Sequence, residues 1–286
     1  MLSFIFIFLL TIIVGMLATW VDRKVTARLQ YRIGPPWFQP FADFCKLMGK
    51  ETMVPSGVSQ MVFLGAPLIG LAGAALVSAI LLTPGAGFVG DIIVVIYLLI
   101  LPSLAVMLGG SASRNPLAAL GSSREMKLVL SYELPFLLAV FTVMFKAGSI
   151  LFSAVHGIPV LSFSGALAFL AALLAVQAKL GVVPFDIAEA EQEIAAGALI
   201  EYSGPPLAVF RLTRAMLYFV LPTFLVMLFL GGMDLWFPLK YVAVLTLIIL
   251  IKNTNPRLRT DQAVRFFWGP VTGMAAVGFI LALMGR

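Results

Sequence analysis

An all-α polytopic membrane protein of about eight transmembrane helices, with amphipathic helices on its cytoplasmic surface, is the fold class the sequence predicts. Three features predict it: 61% hydrophobic against 11% charged residues, a mean hydropathy of +1.07, and loops that alternate between basic and nearly uncharged. A soluble chain averages about 25% charged residues, so lipid is the solvent here. Each bilayer crossing takes about 20 mostly apolar residues. The 286 residues are therefore expected to form a single integral membrane domain, 1–286, with no room for a separate soluble domain.

Apolar stretches predict helices at 2–21, 61–82, 91–109, 128–150, 161–183, 206–230, 235–251 and 264–284. The first reads as a retained helix, because no basic n-region precedes it and no small-residue cleavage site follows it. Basic residues gather in the loops at about 22–60, 110–127, 184–205 and 252–263 or beside them: Arg23, Lys24, Arg28, Arg32, Lys46 and Lys50, then Arg114, Arg124 and Lys127, then Arg211 and Arg214, then Lys252, Arg257, Arg259 and Arg265. The opposite side holds Lys146, Lys240 and the terminal Arg286, and the loop 83–90 has no charge. The positive-inside rule then predicts a prokaryotic inner or plasma membrane protein with cytoplasmic basic loops and both termini outside. The net charge of +6 follows from that topology and from anionic lipid, with no need for nucleic acid. The absence of a fixed-period repeat argues against an inverted-repeat transporter.

The first basic loop reads as two surface helices. Lys24, Arg28 and Arg32 recur every four residues, as do Val25, Leu29 and Ile33, until Gly34, Pro35 and Pro36 break the pattern. Such a helix lies at the interface, either as a snorkelling anchor or as a docking platform for a peripheral subunit. The segment 184–206 packs five acids between two membrane helices. As one helix it would hold Asp186, Glu189, Glu193 and Glu201 within an arc of about 120°, with Glu191 pointing away. No base stands at i+4 to neutralise them. Crowded carboxylates hinder one another's ionisation and exchange protons readily; the plainer alternative is a solvated helix face.

Glu133 lies six residues beyond Lys127, about 9 Å deeper along its helix. An ionisable residue inside a span faces protein or water and is a candidate for an ion path; the alternative is a structural pair with Arg124, Lys127 or Tyr132. Pro135 frees a backbone carbonyl nearby. The single Cys45 and single His156 form no ligand set for zinc, iron-sulfur or haem, so this chain is expected to carry no cofactor and no redox centre of its own.

Four segments, DRKVTARLQYRIGPP with QPFADFCKLMGKE, GSSREMKLVLSYE, PFDIAEAEQEIAAGALIEYSG and NPRLRTDQAVRFFWGP, follow one another in an order that resembles the complex I subunit 1 family, also called the NuoH family. The resemblance covers nearly the whole chain. It implies a subunit that holds the membrane end of an electron-transfer arm and begins a hydrophilic axis into the membrane. Glu133 matches the acid of that axis, and Asp186, Glu189, Glu193 and Glu201 match the acidic loop. Arg23, Lys24, Arg28 and Arg32 match the platform helix, with Lys46, Arg257 and Arg259 as further docking residues. The chain departs from the quinone enzymes in its short Gly34–Pro36 to Gln39 connection and in the acid-free stretch from Val209 to Arg214.

Those departures resemble the membrane-bound nickel-iron hydrogenase branch, which includes formate hydrogenlyase and related sulfur-reducing complexes. The expected role is a coupling subunit linking redox turnover to H+ or Na+ translocation. The expected partners are a hydrogenase-like large subunit with its nickel-iron centre, a small subunit with iron-sulfur clusters, antiporter-like membrane subunits and lipid. The alternatives are the quinone-site subunit of an NADH:quinone oxidoreductase and, from a different class, a stand-alone secondary transporter.

Overall fold

The computed structural model describes residues 2–83, 91–152, 155 and 159–285, and of residues 2, 91, 191 and 192 the backbone alone. The uncharged loop 84–90, His156, Arg286 and the side chain of Glu191 lie outside the described residues. Every regular element among those described is helical: α1 Leu2–Leu29, α2 Gln39–Met48, α3 Gln60–Leu82, α4 Asp91–Leu98, α5 Leu101–Ala112, α6 Pro116–Ala147, α7 Phe163–Lys179, α8 Glu191–Ile194, α9 Gly204–Phe229, α10 Phe237–Thr254, α11 Thr260–Phe266 and α12 Thr272–Leu283.

Among the described residues seven helical spans are long and apolar enough to cross a membrane, counting 92–112 and 260–283 as one span each. The eighth apolar helix, α7, has 17 residues. At 1.5 Å per residue that is about 25 Å, short of a hydrocarbon core of about 30 Å. It ends at Lys179, four residues before the expected end, where Gly181 with φ of 60° turns the chain out of the helix.

The chain forms two compact units. The first comprises Met1–Ala79, Tyr97–Met126 and Asp186–Val220. Here α1 meets α9 closely enough that a Cβ on Gly15 would sit 2.3 Å from the carbonyl oxygen of Ala215, a contact that only glycine permits. Helix α1 continues past the expected boundary to Leu29, so the basic run is the end of a spanning helix and not a separate surface helix. Ile33 falls outside the helix and is exposed, which ends the apolar face predicted there. The chain turns back where the Trp20 indole donates to the Pro35 carbonyl at 3.1 Å, and α2 supplies the second predicted surface helix, with Pro40 in its first turn. Helix α6 also starts early. Pro116 occupies its first position, and the Asn115 carboxamide oxygen accepts the Leu117 N–H at 2.8 Å.

The second unit comprises Ile80–Ile96, Lys127–Phe185 and Leu221–Arg286. In it α7 packs against α12, where a Cβ on Gly278 would lie 3.0 Å from the Ser164 carbonyl. Phe136 and Phe224 meet at 5.6 Å between centroids, and Phe185 and Phe267 at 4.7 Å. Between α11 and α12 a π-helical turn, Phe267–Val271, contains Pro270. Pro270 lacks an N–H and disturbs the ladder there, while Thr272 donates its hydroxyl to the Phe267 carbonyl at 2.7 Å.

Candidate functional site

In the second unit the polar centre is Glu133. Lys179, in the last turn of α7, places its Nζ 2.7 Å from Glu133 Oε2. The lysine side chain is 2% exposed and that of Glu133 15%. The ammonium also lies 4.9 Å from the centroid of Tyr132 and 4.7 Å from that of Phe136, both rings fully buried. A cation at a helix C-terminus is favoured by the partial negative charge of the terminal carbonyls, and two ring faces add cation–π attraction. Glu133 Oε1 is buried and has no hydrogen-bond partner among the described residues. None of the three expected structural partners takes the carboxylate: Arg124 pairs elsewhere, Lys127 is exposed, and Tyr132 holds the lysine. Lys179 was absent from the residues the sequence singled out, although the rule that selects an ionisable group in an apolar span applies to it equally.

The acidic loop of the first unit departs from the predicted stripe. The segment 184–206 contains one short helix, α8, and a 3-10 turn, Gly197–Leu199, with φ of 55° at Ala195 and 54° at Gly197. The chain folds back on itself so that a Cβ on Gly197 would stand 2.0 Å from the Ala188 carbonyl, whereas a continuous helix would hold these residues about 13 Å apart. The segment buries Ile187, Ala188 and Ile194, whereas Ala195 is exposed. The carboxylates are dispersed to separate partners. Glu189 pairs with Arg214 of α9, Glu193 with Arg124 of α6, and Glu201 accepts from the Asn115 carboxamide, each at 2.5 Å. Asp186 adds its field to that of Glu189 on Arg214. One turn further along α9, the buried Tyr218 hydroxyl donates to the buried Asp22 of α1 at 3.1 Å. Asn115, Tyr218 and Asp22 are polar groups the sequence did not single out. Only their positions inside or at the ends of apolar helices mark them.

Tyr202 anchors the end of the loop. Its ring stacks on Phe63 at 4.1 Å with an interplanar angle of 3°, and its hydroxyl donates to the Phe63 carbonyl at 2.9 Å. Burial pushes its phenol above the ordinary range. Beside it a cleft of about 350 Å³ is lined by Met53, Val54, Pro55, Ile200, Glu201, Tyr202 and Ser203.

The basic residues differ in availability. Arg28, Arg32, Lys46 and Arg259 are exposed, and Lys24 and Arg257 are half-buried. Arg23 is tied to Asp43 of α2 at 3.0 Å, and Asp43 also accepts from Gln39 at 2.8 Å. Burial raises the Asp43 carboxyl, but these two hydrogen bonds and the charges of Arg23 and Arg211 outweigh it and hold the group below its ordinary value. Cys45 is a free, exposed thiol. Among the described residues no group of three or more His, Cys, Asp or Glu is placed to hold a metal ion.

A model of the NADH dehydrogenase family matches residues 2–283. The chain is 33% identical over 286 residues to the NuoH-type subunit of the NADH-quinone oxidoreductase of Geobacillus kaustophilus, covering 91% of this chain and 86% of that protein. It is 34% identical over 321 residues to the corresponding subunit of Thermomicrobium roseum, with 97% and 94% covered. Among solved structures it resembles a chain of the membrane-bound sulfane sulfur reductase, an archaeal respiratory membrane complex, with a TM-score of 0.89, 30% identity and 98% of each chain covered.

Proposed function

This chain belongs to the NADH dehydrogenase family as a complex I-like, multi-pass membrane subunit of a respiratory oxidoreductase complex, and from that premise we propose that it couples redox turnover in partner subunits to H+ or Na+ translocation. The observation that carries this reading is the ion pair of Glu133 and Lys179 inside the apolar helices of the second unit. Ionisable groups at such positions are costly and mark ion paths. The exposed Arg28, Arg32, Lys46 and Arg259, with Arg257 and Lys24, form the cytoplasmic docking face, and both termini lie on the opposite side. Partner subunits supply the nickel-iron and iron-sulfur centres, because one cysteine and one histidine are too few ligands for either. Antiporter-like membrane subunits extend the ion path.

Redox turnover in the docked arm changes the charge beside the loop acids. Glu193–Arg124 and Glu189–Arg214 are partly exposed pairs that can re-form as that charge changes. Asp186, Glu191 and Glu201 contribute further sites for the relay, and Glu133 is its acid within the span. The hydrogenase or sulfur-reducing type of complex is favoured by the short 30–38 connection between α1 and α2 and by the 98% coverage of both chains in the sulfane sulfur reductase comparison.

A second reading, the quinone-site subunit of an NADH:quinone oxidoreductase, is favoured by the NADH-quinone oxidoreductase relatives and by the cleft beside Tyr202. Purifying the complex through a tag on this chain decides between them. Nickel, with ferredoxin-dependent hydrogen evolution, is the expected result. Inhibitor-sensitive quinone reduction without nickel moves the chain to the second reading, and ion transport by the isolated chain would overturn both.

A further inference from the structure

We propose that Lys179 is a tethered counter-cation that the translocated ion displaces from Glu133, with the Tyr132 and Phe136 rings as its alternative resting place. This rests on the reading of Glu133 as an acid of the ion path. The carboxylate has two unlike oxygens: Oε2 is held by the ammonium at 2.7 Å, whereas Oε1 is buried with no hydrogen-bond partner among the described residues. A buried carboxylate left with one oxygen bare is poorly compensated. Oε1 is therefore where an arriving proton or sodium ion gains most.

Once a cation neutralises Glu133, the attraction that keeps Lys179 on Oε2 is removed. A buried ammonium without a partner would be driven out or deprotonated. Here it has somewhere to stay, because its Nζ is already 4.9 and 4.7 Å from the two ring centroids and lies at the carbonyl end of α7. The pair thus has two arrangements, ammonium on carboxylate or ammonium on rings with a foreign cation on carboxylate. With sodium no covalent bond changes; with a proton an O–H bond forms at Oε1 on entry and breaks on departure. In either case the net charge of the pair rises by one as the ion enters and falls by one as it leaves. When the ion departs, Lys179 returns to Oε2 and blocks back-flow. A merely structural ion pair would need neither a bare oxygen nor an aromatic seat for its cation.

The test uses the whole complex in proteoliposomes and reads ions moved per electron pair in Glu133→Gln, Lys179→Gln and Phe136→Leu. Lys179→Gln is expected to lower the ratio about tenfold, because ions then leak back past Glu133. Phe136→Leu leaves the ion pair intact and removes one ring, and is expected to lower it about threefold, the scale of one cation–π contact. A structural role lowers the yield of complex but leaves the ratio per assembled complex unchanged. A wild-type ratio in Glu133→Gln overturns the ion-path reading itself. A lowered ratio there with a wild-type ratio in Lys179→Gln overturns the counter-cation alone. If Lys179→Gln does not assemble, Phe136→Leu decides: a lowered ratio supports the displacement and an unchanged ratio overturns it.

Discussion

Glu193 and Glu133 are both carboxylates ion-paired to a base from another helix, yet Glu193 keeps 50% of its side chain exposed and Glu133 only 15%. The acidic loop gathers many charges and leaves them partly exposed; the apolar stretch 128–145 of α6 carries one acid, Glu133, and buries it with its partner. The same contact therefore has different consequences. In the loop, water screens each pair and offers both partners an alternative, so a pair can break and re-form at small cost. Around Glu133 both groups are largely buried, so loss of either charge leaves the other poorly compensated.

Substitutions that open each pair sharpen this contrast. Lys179→Met leaves a buried carboxylate uncompensated and is expected to destabilise the purified complex by about 3–5 kcal/mol, whereas Lys179→Met combined with Glu133→Gln recovers most of that loss. Thermal unfolding of the two variants checks it, and equal destabilisation would show that packing, not charge, dominates at Lys179. Arg214→Leu frees Glu189, which is about one-third exposed, so a smaller cost of about 1–2 kcal/mol is expected. A cost as large as that of Lys179→Met would erase the distinction between the two regions.

The sequence carried the helices and the charge pattern because both follow from local chemistry. Apolar length marks a span whatever packs against it, and α3 ends at Leu82 as hydropathy predicts. Boundaries moved where a polar run still favoured helix: α1 continues through Arg23 and Lys24 to Leu29, and α6 begins at Pro116 because Asn115 caps it. The acidic stripe failed because helical geometry was assumed for a segment whose path is set by packing from afar. Ala188 approaches Gly197 too closely for a continuous helix, and the bases that neutralise the acids come from α6 and α9, not from i+4. Glu133 was legible as an acid in an apolar window. Its partner required the fold, because Lys179 is 46 residues away.

Tyr202 offers a more modest way to test the loop region. Tyr202→Phe keeps the ring stacked on Phe63 and removes only the hydroxyl's bond to the Phe63 carbonyl, for an expected loss of about 1 kcal/mol. Tyr202→Leu also loses the stacked ring and should cost about 1 kcal/mol more. Protease sensitivity of the 184–206 segment is the direct measurement: it should rise in the leucine variant and change little in the phenylalanine one. Equal protection in both would mean that α8 and its ion pairs, not the aromatic anchor, hold the loop.

The smallest effect is expected at the surface, where Arg23 and Asp43 join α1 to α2 with 48% and 31% of their side chains exposed. Water screens this pair, so Arg23→Gln should cost less than about 1 kcal/mol at neutral pH. Its sign with pH follows from the direction in which the Asp43 carboxyl is held. The folded value lies below the ordinary 3.8, so the pair's contribution is complete above that value and fades as pH falls through the folded one. The stability difference between the parent and Arg23→Gln should therefore be constant from neutral pH down to about pH 5 and vanish in stronger acid, as read from unfolding in a pH series. A difference that persisted below the folded value would assign the Arg23 effect to packing of its aliphatic stem. The surface pair would then be held, like the buried one, by more than its charge.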